Sequence, residues 1–265
     1  MTKPIRLGLV GLGKIARDQH LPAIARIDNV QLIAVASRNA RAEGVANYGD
    51  LESMLAGNDR LDAIILCQPP QARYPAARMA LLSGKHVFLE KPPGATLSEV
   101  EALVALAQAQ GVTLYASWHS RYAAAVVPAR AWLATRSVER VAITWKEDVR
   151  QWHPGQDWIW DPGGFGVFDP GINALSILTK IIGEPVRLIS ANLETPSNRL
   201  APIAADLSLE TASGIPILVQ LDWRQTGRQT WDIEVKTDQE TLRLSHGGNQ
   251  LSIGGVPQAV PAEEE

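Results

Sequence analysis

The chain has 265 residues, is 46% hydrophobic and 20% charged, and carries a formal net charge of −3. That length suffices for two modest domains with ample cores. The charge offers no basic face for nucleic acid, and no apolar run approaches the roughly 20 residues of a membrane span. The single cysteine, Cys67, excludes an internal disulfide framework and suits a reducing compartment. The N-terminal stretch has no signal-peptide pattern, so a cytoplasmic protein is expected.

Strand and helix signals alternate through the first half. Ile5–Val10 reads as a short buried strand leading into GLGKIA. A helical pattern follows from Lys14 to Ile27, with Pro22 expected to kink or interrupt it. Gln31–Ala36 and Asp62–Cys67 are strands, the latter stopped by Pro69 and Pro70. Ala72–Leu82 is a helix with Gly84 just beyond its end. His86–Glu90 is a strand, Thr96 and Glu99 form a capping box for a helix to Gln110, and Val112–Ala116 is a further strand. Such alternation predicts a doubly wound α/β domain with a parallel sheet.

The second half changes character. Strand-like runs at Val138–Trp145, Val186–Leu193, Ile217–Trp223, Trp231–Val235 and Gln239–Leu244 follow one another with one clear helix, from Asp169 to near Gly183. This predicts a second α/β domain with an open, mainly antiparallel sheet. The boundary is expected near residue 120, giving domains 1–120 and 121–265.

Gly11-Leu-Gly13-Lys-Ile-Ala16 fits G-x-G-x-x-G/A directly after a strand and before a helix. The first glycine allows the tight turn and the second lets the backbone approach a pyrophosphate seated on helix N-terminal amides. Alanine in the sixth place lets helix pack on strand. At the end of the second strand an acidic residue would bind a ribose 2′-hydroxyl. Ala36-Ser37-Arg38 stands there instead. Ser37 and Arg38 can bind a 2′-phosphate, which points to NADP as the preferred cofactor, with NAD also used.

Ligands of open α/β sheets bind at the carboxyl ends of the strands. Lys91 follows such an end, and Pro92 and Pro93 restrict the backbone around it. Asp169 and Asn173 are four apart at the start of a helix and can share one face. An ammonium, a carboxylate and an amide suit removal of a hydroxyl proton while hydride leaves the same carbon. Asp169 before Pro170 is also a common helix cap. The glycines of Gly163–Gly166 allow the backbone to approach a ligand or a turn.

GLVGLGKIA, the Glu90-Lys91-Pro92 triplet and the helix carrying Asp169 and Asn173 resemble the Gfo/Idh/MocA oxidoreductase family. The longer motifs GKIARDQHLPAI, EKPPGATL, WHSR, WKEDVR and WHPGQDWIWDPGGFGVFDPGINALSI resemble its bacterial branch of L-arabinose and D-galactose 1-dehydrogenases, over nearly the whole chain. The resemblance implies a Rossmann domain, a second α/β domain whose open sheet forms a homodimer interface, and oxidation of an aldose at C1 to the lactone. It implies catalytic positions at Lys91, Asp169 and Asn173. The sugar is expected on His119, Glu147, Trp152 and Trp231 as well as Asp169 and Asn173. The dinucleotide is expected on Gly11, Gly13, Lys14, Ile15, Ser37, Arg38, Cys67, Pro69, Glu90 and Lys91. It also implies sequence beyond Glu265, so the second domain is expected to be truncated. Another sugar or polyol dehydrogenase of this fold, or a non-catalytic dinucleotide or sugar sensor, are the alternatives; the retained Lys91, Asp169 and Asn173 argue against the sensor.

Six of the eight tryptophans lie between Trp118 and Trp160. A pyranose has apolar C–H faces and a polar rim, suited to aromatic walls and to His or carboxylate partners. Trp152, Trp158, Trp160 and Trp231 are candidate walls, with His119, Glu147 and Asp148 as candidate rim partners. Trp132, Trp145 and Trp223 read as core. The spacing of His119, Glu147 and His153 matches no zinc pattern, and no metal is expected.

Overall fold

The computed structural model describes residues 3–261. The chain divides into two compact units, Met1–Ser117 and Trp118–Glu265.

The first unit runs β1 (Ile5–Val10), α1 (Leu21–Arg26), β2 (Val30–Ala36), β3 (Ala46–Tyr48), α2 (Leu51–Gly57), β4 (Ala63–Leu66), α3 (Pro70–Leu82), β5 (His86–Leu89), α4 (Leu97–Gln110) and β6 (Leu114–Ala116). All six strands pair in parallel in the order β3-β2-β1-β4-β5-β6, the doubly wound arrangement. Neighbouring residues feed opposite faces. Val10, Ala34, Ile64 and Leu66 pack with α2, α3 and α4 on one side, while Leu9, Val35, Ile65 and Cys67 pack with Ala16 and Leu21 on the other. The Thr96–Glu99 capping box forms at the start of α4, and Gly111 ends that helix in the left-handed region.

The helix after the glycine turn is not uniform. Ala16–His20 is a wide π-type turn, with the Leu21 N–H bonded to the Ala16 carbonyl, and α1 then begins with Pro22 in its first turn. Pro22 has no N–H, and in a regular α-turn its ring would collide with the carbonyl four residues back. Widening the preceding turn relieves that collision without breaking the rod.

The second unit holds α5 (Val126–Leu133), β7 (Val138–Lys146), α6 (Val149–Trp152), α7 (Phe168–Ile182), β8 (Val186–Glu194), β9 (Ala204–Thr211), β10 (Pro216–Asp222), β11 (Thr230–Thr237), β12 (Thr241–Ser245), β13 (Gln250–Ile253) and β14 (Val256–Gln258). The strands order as β14-β13-β12-β11-β7-β10-β9-β8. Every pairing is antiparallel except β7 with β10. One face carries α5 and α7 over a core that includes Ile143, Ile177, Val219, Leu221 and Ile233. The other face is open: along β10, Ile217 and Val219 are buried while Leu218 is 59% exposed. β8 is exposed along nearly its whole length.

Candidate active site

In the first unit, the residues expected to meet a dinucleotide gather at the carboxyl edge of the sheet, around the β1/β4 switch point. Gly11 has φ +90°, and a Cβ there would lie 3.0 Å from the Gln68 amide nitrogen. Its N–H donates to the Ala36 carbonyl at 2.9 Å, tying the turn to β2. Gly13 is different. A Cβ built on it would meet nothing of the protein within 4 Å, so internal packing does not require glycine there. Ala16 is fully buried under the turn. Lys14 and Ile15 are exposed, and Lys14 pairs with Asp18 one helical turn on.

Ser37 donates its N–H to the Tyr48 carbonyl at 3.0 Å and accepts from Arg41 Nη1 at 3.4 Å, while the Arg38 side chain is exposed. Cys67 closes β4 with its N–H on the Val10 carbonyl. Its thiol is buried; desolvation, then the Glu90 charge, push its pKa up to about 12 against the opposing Arg73 charge, which removes it as a nucleophile. Pro69 caps α3. Beside Gly11, Gln68 Oε1 is buried and without a hydrogen-bond partner. Open space over Gly13 and this orphaned acceptor both fit a bound dinucleotide.

Glu90 is only 6% exposed. Its Oε1 lies 2.7 Å from His20 Nε2, and its Oε2 accepts the Lys91 N–H at 2.9 Å. Burial pushes this carboxyl upward, but the His20 hydrogen bond and charge, with the Lys91 N–H and ammonium, outweigh it and hold the pKa below its ordinary value. Arg73 Nη1 donates to the Glu90 carbonyl at 2.5 Å and to the Pro92 carbonyl, and the Lys91–Pro92 bond is cis. His20 was not singled out from the sequence; its signal is the GKIARDQH segment itself, one helical stretch after the glycine turn.

In the second unit, parallel pairing of β7 with β10 brings their carboxyl ends to one edge of the sheet, where antiparallel β11 begins. Glu147, just past β7, is therefore flanked by Trp223 and Trp231. It is 6% exposed and accepts from Trp223 Nε1 at 3.3 Å and Trp231 Nε1 at 2.9 Å. Trp152 meets the Trp231 ring edge-on at 5.5 Å between centroids and is 39% exposed. Trp160 meets Trp223 at 5.3 Å.

Asp169 is 4% exposed, with Oδ2 3.5 Å from His153 Nε2, and the His153 ring lies 5.2 Å from Trp223. Glu147, Trp223, Trp231, Trp152, His153 and Asp169 thus form one continuous group. Asn173 follows Asp169 on α7 by four residues. His119 sits in the short turn His119–Tyr122, which packs against α7; it is exposed, and its Nδ1 lies 3.4 Å from Ser120 Oγ.

One expectation needs correction: Asp169 is not the cap of α7; that position is Val167, and Asp169 lies within the first turn. Gly164 and Gly166 stand in tight turns, where a Cβ would strike the Trp158 and Pro202 carbonyls respectively. Trp145 and Trp223 are core, and Trp132 is partly buried against that core, with the Arg136 guanidinium 3.8 Å above its ring. Among the described residues, no three His, Cys, Asp or Glu side chains gather as metal ligands, and no helix is long and apolar enough to cross a membrane.

Residues 5–117 match the family described as Gfo/Idh/MocA oxidoreductase, NAD-binding Rossmann fold. Galactose 1-dehydrogenase of Pseudomonas fluorescens is 46% identical over 263 residues, covering 99% of this chain and 85% of that protein. The crystal structure of a D-galactose-1-dehydrogenase protein from Rhizobium etli is 56% identical, with a TM-score of 0.94 over 98% of this chain and 85% of its own. The WlbA dehydrogenase of Bordetella pertussis, solved with NADH and UDP-GlcNAcA, shares the fold at 22% identity and a TM-score of 0.86, covering 98% of this chain and 84% of its own.

Proposed function

From the premise that this chain belongs to the Gfo/Idh/MocA oxidoreductase family, we propose that it oxidises an aldose, D-galactose or L-arabinose, at C1 to the lactone. Residues 1–120 bind the dinucleotide, and residues 121–265, joined by His119, bind the sugar. The observation that carries the reading is the group around Glu147: a buried carboxylate holding Trp231 beside a half-open Trp152, which suits an apolar sugar face with a polar rim. Likeness to two galactose 1-dehydrogenases over almost the whole chain supports it.

NADP or NAD, once bound, would supply the acceptor for the hydride that leaves C1. Gly11, Gly13, Lys14 and Ile15 would hold its phosphates, Ser37 and Arg38 its ribose end, and Cys67, Pro69, Glu90 and Lys91 the remainder along the strand ends. NADP is preferred, because no acid ends β2 to repel a 2′-phosphate. Asp169 takes the C1 hydroxyl proton, aided by neighbouring His153; Lys91 stabilises the oxygen as it loses that proton; Asn173 orients the ring. His119 and Glu147 hold ring hydroxyls, and Trp152 and Trp231 line the apolar face. The chain works in the cytoplasm, as two copies joined through the open sheet face, where Leu218 of β10 is 59% exposed.

Initial rates with both sugars and both cofactors, with the product trapped as a hydroxamate, test the proposal. Turnover of either sugar to a trappable lactone is expected. Failure with both sugars overturns it.

A further inference from the structure

Lys91 needs a defined position if it is to handle a proton, yet it sits in a turn after the end of a strand. Two side chains from distant parts of the first unit, together with the adjoining Glu90, converge on that turn. Arg73, on α3, binds the carbonyls of Glu90 and Pro92 on either side of Lys91. Glu90 spends one carboxylate oxygen on the Lys91 N–H at 2.9 Å. Its other oxygen meets His20 Nε2 at 2.7 Å, across 70 residues of sequence.

His20 closes the wide turn that begins at Ala16, directly after the glycine motif. Its ring is pinned edge-on against Phe88 of β5, at 5.6 Å between centroids. The imidazole and the carboxylate are both largely shielded, with 12% and 7% of their side chains exposed. In that setting a hydrogen bond to a charged group is strong and directional.

We propose that His20 is a positioning residue: through Glu90 it fixes Lys91 against the helix that follows the glycine turn, so that cofactor and ammonium keep one register. This rests on the reading of Lys91 as a proton-handling group. His20 itself is committed to Glu90 and touches no reacting atom. The wide turn gives the rod its local geometry at His20, so a sequence adjustment forced by Pro22 also serves the site.

The test uses His20→Leu and His20→Gln, alone and in a Lys91→Ala background, with D-galactose and L-arabinose as substrates and NADP as cofactor. Small misplacements of a reacting group cost up to about 10²-fold, so His20→Leu is expected to lower kcat about 10- to 100-fold. The Kd for NADP should stay near wild type, while His20→Leu loses some stability because buried Glu90 loses a partner. His20→Gln, whose amide reaches Glu90, should recover most of the loss. In the Lys91→Ala background His20→Leu should cost nothing further, because it acts through the group already removed.

An unchanged kcat in His20→Leu overturns the proposal. So does a loss that adds fully to that of Lys91→Ala, or a kcat that stays low in His20→Gln. Lys91→Ala alone judges the role of Lys91 separately. If neither sugar turns over, amide exchange at Lys91 still reads the brace. Exchange about tenfold faster in His20→Leu but not in His20→Gln supports it, and equal exchange in all three proteins overturns it.

Discussion

His153 Nε2 stands 3.5 Å from Asp169 Oδ2, with both side chains largely shut off from water. That separation is longer than a tight hydrogen bond. Asp169→Ala is expected to lower kcat by about 10²–10⁴-fold, the usual loss for a positioned acid–base group, with cofactor affinity retained. Lys91→Ala should fall in the same range. Steady-state kinetics beside calorimetric titration with NADP check both, and near-normal kcat in either variant withdraws that residue from the assignment.

The two glycines of the turn should separate fold from function. Gly11→Ala puts a methyl against the Gln68 backbone at φ +90°, so the unit should lose stability on urea denaturation. Gly13→Ala meets no protein atom within 4 Å. Its stability should match or slightly exceed wild type, while its Kd for NADP rises by at least tenfold. A Gly13→Ala protein that binds NADP normally would show that the open space is not the pyrophosphate's.

Glu147 serves two indoles at once. Glu147→Ala leaves the Trp223 and Trp231 N–H groups without their acceptor, each loss costing about 1–3 kcal/mol where the donor stays dry. Trp223 is fully buried, so the larger share should come from it. Trp231→Phe, by contrast, should raise KM for the sugar more than for the cofactor. Equal changes in both, joined to a fall in melting temperature, mark Trp231 as core.

Arg38 is exposed just past the end of β2, so the bond proposed for it to a 2′-phosphate would be screened and lie at the weak end of charged pairs. Arg38→Ala should raise KM for NADP about tenfold, from a loss near 1.5 kcal/mol, and leave NAD nearly unchanged. Ser37→Asp should reverse the preference. A wild-type enzyme with the higher kcat/KM for NAD contradicts this reading of the loop.

The parallel sheet was legible because its strands carry short, mostly buried apolar runs, as at Leu7–Val10 and Val87–Leu89. β9 escaped notice for the opposite reason. Ala204–Thr211 alternates Leu207 and Leu209 with Asp206 and Ser208, a one-sided strand without the β-branched or aromatic density that marked the others. β3, three residues long, carries too little pattern to register. Asp169 and Lys91 stood out through unusual local chemistry beside prolines. His20 and His153 did not, because each acquires its meaning from a partner that only tertiary structure supplies: Glu90 for one and Asp169 for the other. The same holds for Trp223, whose core position is plain in sequence but whose bond to Glu147 depends on how β7 and β10 run.

That parallel pairing also sets a timetable for synthesis. The six strands of the first unit all lie within residues 5–116, and each gains its neighbours over short stretches of emerging chain. β7 sits between β10 and β11, neither of which is made until long after it. From the ribosome, β7 must wait with both hydrogen-bonding edges unfilled while α7, β8 and β9 are translated. Contacts of such long sequence separation close slowly. The nucleotide-binding half can therefore mature while the rest is still being made, and the interval before β10 arrives is when the nascent chain is most open to chaperones and to mispairing with its neighbours.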